Sequence, residues 1–86
     1  MPPGHGLTFF VQGETHRYLG IVNDISDDGM GVTVGKSFEP GTVMEFVLEE
    51  DEQESYFIGE VMWCKPDQWL EDTYHMGVAT RAKVVT

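Results

Sequence analysis

The chain is short of positive charge. Of its 86 residues only five are lysine or arginine, against 15 aspartate and glutamate, and the formal net charge is −10. Such a chain repels nucleic acids, anionic membranes and phosphate-rich ligands at long range, so DNA and RNA are not expected partners. Cysteine is nearly absent as well. Cys64 stands alone, so no internal disulfide can form, which fits a reducing cytoplasm. No run of about 18 apolar residues is present to cross a bilayer as a helix, and no membrane insertion is expected. The opening Met1-Pro2-Pro3-Gly4-His5-Gly6 lacks the basic and apolar regions of a signal peptide, so a cytoplasmic location is expected. No segment sustains a 3.6-residue apolar period long enough for a main helix.

What remains is enough for one small domain. A chain of this length buries roughly 60–65% of its unfolded surface, which allows one modest core and no separate catalytic lobe. Apolar residues make up 41% and aromatics 12%, so the chain should fold rather than stay disordered.

Short β-prone runs follow one another along it. Residues 1–6 read as a flexible lead-in, residues 7–80 as the folded unit, and residues 81–86 as a strand extension or tail. Leu7 to Val11 is the first strand. His16 to Ile25 alternates, with Leu19, Ile21, Asn23 and Ile25 on one face and Tyr18 and Val22 on the other. Met30, Val32 and Val34 alternate in the third, and Met44, Phe46 and Leu48 point inward from the fourth. Pro40-Gly41 marks a turn between these two. Glu49 to Glu54 reads as a solvated hairpin tip. Tyr56 to Trp63 carries large residues on both faces, with Phe57, Val61 and Trp63 together, and suits a strand covered on both sides. The stretch after Pro66 is a loop with room for one helical turn, and Thr73 to Thr80 alternates again. About six strands joined by short turns favour a closed or nearly closed antiparallel barrel. A two-sheet sandwich is the alternative.

The stretch Val22-Asn23-Asp24-Ile25-Ser26-Asp27-Asp28-Gly29-Met30-Gly31-Val32 organises the chain. Strand-formers enter and leave it. Between them lies a polar turn in which Asn23, Asp24 and Ser26 can bond nearby backbone, and Gly29 and Gly31 allow close approach. A polar lip on a strand–turn–strand junction is a common place for a binding site.

Asp24-Ile25-Ser26-Asp27-Asp28-Gly29 fits the pattern [D/N]-x-S-x-x-G. It is followed by Pro40-Gly41-Thr42-Val43, then Gly59-Glu60-Val61-Met62-Trp63, then Tyr74-His75-Met76-Gly77-Val78. In this order the segments resemble the PilZ family of bacterial domains over about residues 7–80. The resemblance implies a six-stranded antiparallel barrel that commonly serves as an effector of the second messenger cyclic-di-GMP. Carried over, Asp24 would accept from a guanine edge, Ser26 would bond a base or phosphate, and Gly29 would let the backbone come close. Ligand-binding members also carry an arginine pair, R-x-x-x-R, before the first strand, whose guanidiniums grip phosphate and stack on guanine.

That second element is missing. Met1–Gly6 contains no arginine or lysine, and Arg17 and Arg81 are the only arginines in the chain. Charge-assisted hydrogen bonds contribute about 1.5–3 kcal/mol each. Two lost bonds amount to roughly 3–6 kcal/mol, or on the order of 10²–10⁴ in affinity. Family members without the pair are thought to work through protein contacts in pilus or motility control, and this chain looks more like them. The alternative is a true cyclic-di-GMP receptor whose clamp comes from Arg17, Arg81, Lys83, a second chain or, if the chain is a fragment of a longer protein, arginines upstream of Met1. The expected ligand-binding set is thus Asn23, Asp24, Ser26, Gly29 and Arg17.

Other chemistry finds little support. Asp24, Ser26, Asp28 and Gly29 match the first half of a calcium loop, but Gly35 stands where the bidentate glutamate belongs. Cys64, His75, His16 and His5 lack paired zinc spacing. No carboxylate stands beside a nucleophile or histidine base at a recognisable spacing, so no catalytic residue and no resident cofactor is expected. Trp63 reads as core. Trp69 with Leu70, in a polar loop, reads as an exposed apolar patch for a protein partner.

Overall fold

The computed structural model describes residues 5–50 and 53–84. Six strands make up the fold: β1 (His5–Val11), β2 (Tyr18–Ile25), β3 (Gly29–Val34), β4 (Val43–Glu50), β5 (Gln53–Pro66) and β6 (Tyr74–Val84). They close into one barrel in the order β1-β2-β3-β6-β5-β4, every pair antiparallel. The closed circuit is the barrel reading of the sequence and excludes the sandwich. β1 begins at His5, two residues before Leu7, and the rest of the expected lead-in lies outside the described residues.

One side chain in two points inward. Leu7, Phe9, Val22, Met30, Val32, Val34, Met44, Phe46, Leu48, Val61, Met76 and Val78 fill the interior, and Phe38 closes it from the β3–β4 loop. The rings of Phe9, Tyr18, Phe38 and Phe46 stack or meet edge to face with centroids 5.2–5.6 Å apart, a favoured spacing for aromatic pairs. In β2 the inward face is Tyr18, Gly20 and Val22, so Leu19, Ile21 and Ile25 stand in solvent.

Several expectations are corrected. Trp63 is not core: it is 45% exposed on the outer face. A bulge lies between Val61 and Trp63, so Val61 pairs with Val78 but Trp63 pairs with Gly77. Both Met62 and Trp63 therefore face out, and β5 is not covered on both sides. β5 also runs further than Tyr56 to Trp63, because its ladders continue from Gln53 against Glu50 to Pro66 against Tyr74. Glu49 and Glu54 are thereby cross-strand partners inside the ladder. No helical turn follows Pro66. Residues 67–73 form bends and turns in which the Asp67 Oδ2 accepts from the N–H groups of Trp69 and Leu70, both at 2.9 Å, an aspartate-capped turn.

Candidate functional site

The polar turn sits between β2 and β3. The Ser26 N–H donates to the Gly29 carbonyl at 2.8 Å, and its hydroxyl reaches Asp28 Oδ1 at 3.1 Å and the Gly29 carbonyl at 3.3 Å. The Thr80 N–H donates to the Asp28 carbonyl at 3.1 Å, which ties the turn to β6. A bulge at Asn23 lets Asp24 pair with Gly31.

Register then places four residues in one row across the outer surface: Asp24 of β2, Gly31 of β3, Gly77 of β6 and Trp63 of β5. The two central glycines matter because of what lies over them. A Cβ at Gly31 would stand 3.0 Å from Asp24 Oδ1, and one at Gly77 would stand 2.2 Å from Trp63 Nε1. The carboxylate and the indole thus lean inward from opposite sides over a floor with no side chains. Asp24 Oδ1 accepts the Gly31 N–H at 3.0 Å. Above the floor lies an open groove of about 500 Å³, walled by Asp24, Ser26 and Asp28 on one side and by Met62 and Trp63 on the other.

The next row is a hydrogen-bonded chain. Asn23 Nδ2 donates to Thr33 Oγ1 at 2.6 Å, Thr33 Oγ1 lies 3.2 Å from His75 Nδ1, and His75 Nε2 lies 2.7 Å from Asp67 Oδ1. With the ring proton on Nε2, every link has a donor and an acceptor: the Thr33 hydroxyl donates to Nδ1, and Nε2–H donates to Asp67. The His75 bond, and then the Trp69 and Leu70 N–H groups, hold the Asp67 carboxyl down at about 2. Asp67 therefore joins the groove's end to the loop carrying Trp69 and Leu70, which are 87% and 63% exposed. Lys65, beside His75 in the ladder, holds its Nζ 5.6 Å from the Trp63 ring centroid.

A family model described as PilZ domain matches residues 5–82. The chain belongs to the PilZ domain family. No curated protein and no solved structure gives a significant match. PilZ domains are binding and adaptor modules rather than enzymes, and this one is a cyclic-di-GMP-related signalling module. Among the described residues no helix is long and apolar enough to cross a membrane.

In this PilZ domain Asn23, Asp24, Ser26 and Gly29 come together at the groove. Arg17 does not join them. It precedes β2, with its guanidinium 5.8 Å from the Phe10 ring centroid, and it borders a separate cavity with His16, Tyr18 and Lys36. The six residues from Arg17 to Asn23 span roughly 20 Å at strand rise. Arg81 is engaged in an ion pair with Glu60, and the side chain of Lys83 lies outside the described residues. Trp63, Lys65, His75 and Gly77 belong to the groove's surroundings and were missed as a site, because only the β3–β6 and β5–β6 registers bring them there. Among the described residues no three His, Cys, Asp or Glu side chains gather to hold a metal ion.

Proposed function

We propose that this PilZ domain works as a bacterial cytoplasmic adaptor, in cyclic-di-GMP-related control of pili or motility. It acts through contact with a protein partner and binds the nucleotide weakly or not at all. The single observation that carries this reading is a groove with its polar turn intact and no arginine free to grip phosphate. Arg17 lies at the far end of β2, Arg81 is held by Glu60, and the turn side of the groove carries Asp24, Asp27 and Asp28. A dianionic ligand meets repulsion there in place of a clamp. Trp69 and Leu70, exposed on the loop anchored by Asp67, supply the kind of apolar surface a partner covers.

A second reading has one observation in its favour. Lys65 brings a cation near the groove's end, beside Trp63, which supports a reduced clamp for cyclic-di-GMP. A backbone-amide NMR titration with cyclic-di-GMP at low salt, to millimolar ligand, separates the two. No saturable shift at Asn23–Gly31, together with a specific partner recovered by the immobilised domain, is the expected outcome. Tight nucleotide binding with no partner sinks the adaptor reading.

A further inference from the structure

We propose that the groove over Gly31 and Gly77 receives an arginine side chain from the protein partner. This deepens the adaptor reading and rests on it. The argument starts from what the groove still offers. Asp24 uses Oδ1 on the Gly31 N–H and Asp28 uses Oδ1 on the Ser26 hydroxyl, while neither Oδ2 has a partner among the described residues. A guanine edge and a guanidinium present the same feature to such a carboxylate, two parallel N–H donors in one plane. The groove therefore still offers acceptors for a pair of parallel donors.

The opposite wall suits the same guest. Trp63 is 45% and Met62 56% exposed, an apolar wall open to solvent. The Lys65 ammonium already stands 5.6 Å from the indole centroid, so the ring is placed to attract a cation in this fold. A flat group entering the groove between Asp24 and Trp63, which themselves lie over the two glycines, meets a carboxylate at one edge and an indole at the other. Arginine alone among side chains is planar, always charged and able both to stack and to bond in parallel pairs. Charge favours it further. The chain carries −10 overall, and Asp24, Asp27, Asp28 and Asp67 around the groove outnumber Lys65, since Arg81 is balanced by Glu60. Long-range attraction therefore draws a basic segment toward this face.

The test uses three blocked peptides, acetyl-Gly-Arg-Gly-amide and its lysine and citrulline counterparts, titrated into the labelled 86-residue chain at low salt. The arginine peptide should give saturable shifts at the Gly31 and Gly77 amides and the Trp63 indole N–H. The lysine and citrulline peptides should bind about tenfold more weakly, since each lacks either the parallel donors or the charge. Asp24→Asn keeps an acceptor for Gly31, so the fold is retained, and should weaken the arginine peptide by about tenfold. Equal shifts from all three peptides, shifts centred away from the groove, or indifference to Asp24→Asn overturn the proposal. So does a captured partner whose binding survives both Asp24→Asn and Trp63→Ala, although the adaptor reading then stands. Saturation of the groove by cyclic-di-GMP at lower concentration than any partner overturns both.

Discussion

Gly59 and Gly77 lie on neighbouring strands, and the same substitution at each should have different consequences. A Cβ at Gly59 points into the barrel, 2.6 Å from Val78 Cγ1 and 3.1 Å from both Phe46 Cε2 and the Ala79 carbonyl oxygen. Val78 and Phe46 are 3% and 0% exposed, so neither can move aside without disturbing the packed interior. Overpacking of this kind costs about 1–3 kcal/mol, while replacing a strand glycine returns about 0.5–1 kcal/mol of chain entropy. A net loss of up to about 2.5 kcal/mol is expected for Gly59→Ala, which lowers Tm by up to roughly 20 °C in a domain of this size. At Gly77 the clash is closer, 2.2 Å from Trp63 Nε1 and 2.5 Å from Cε2. The clashing atoms belong to a half-exposed ring that can rotate into solvent, so the loss is offset and the net change lies within about 0.5 kcal/mol. Gly77→Ala should instead shift the tryptophan emission to the red as the indole leaves the floor. Thermal melts and urea titrations followed by far-UV circular dichroism give the ranking. A Gly77→Ala variant destabilised as much as Gly59→Ala would refute the assignment of one glycine to the barrel interior and the other to its outer face, beneath the indole.

Two further expectations rest on single residues. The Asp67 carboxyl is held at about 2, below its ordinary 3.8. Its contribution is therefore fully present above about pH 4 and is lost as pH falls through about 2. The Trp69 and Leu70 amides and the His75 ring should shift together across that window, and Asp67→Asn should abolish the joint transition. Independent movement of the three signals would count against the shared anchor. Leu19 is 74% exposed on β2, so Leu19→Ser should change stability by no more than about 0.5 kcal/mol. A large loss by chemical denaturation would mean that the outer face of β2 is covered.

Much of the barrel was legible because alternation is local. Met30, Val32 and Val34, and likewise Met44, Phe46 and Leu48, point inward as their spacing in the sequence implies. Trp63 was misread because alternation assumes an unbroken ladder, and the bulge after Val61 breaks it without any mark in the sequence. The stretch after Pro66 is the loop expected, but without the helical turn: Asp67 Oδ2 accepts from the Trp69 and Leu70 N–H groups as a helix N-cap does, yet the chain turns back so that the Asp67 N–H meets the Thr73 carbonyl at 2.8 Å. The turn half of the site was plain from Asn23 to Gly31, since its residues are adjacent in the chain. The other half depends on Gly31 meeting Gly77, 46 positions away, and nothing local specifies that register. Arg17 was grouped with the turn because nearness along the chain hides the length of an extended strand.

The strand order has a consequence for how this domain comes apart. β1, β2 and β3 pair in sequence, as do β4, β5 and β6, so the barrel consists of two contiguous three-stranded halves sealed along β3–β6 and β1–β4. Gly31 and Gly77 face each other across the first of those seams. Whatever rests on them touches both halves at once and acts as a stitch. Occupancy should slow exchange of the β3 and β6 amides more than those of β1 and β4, because only the occupied seam must shed its guest before it opens. Two fragments divided within residues 35–42 would each lack the groove and would create it only by docking.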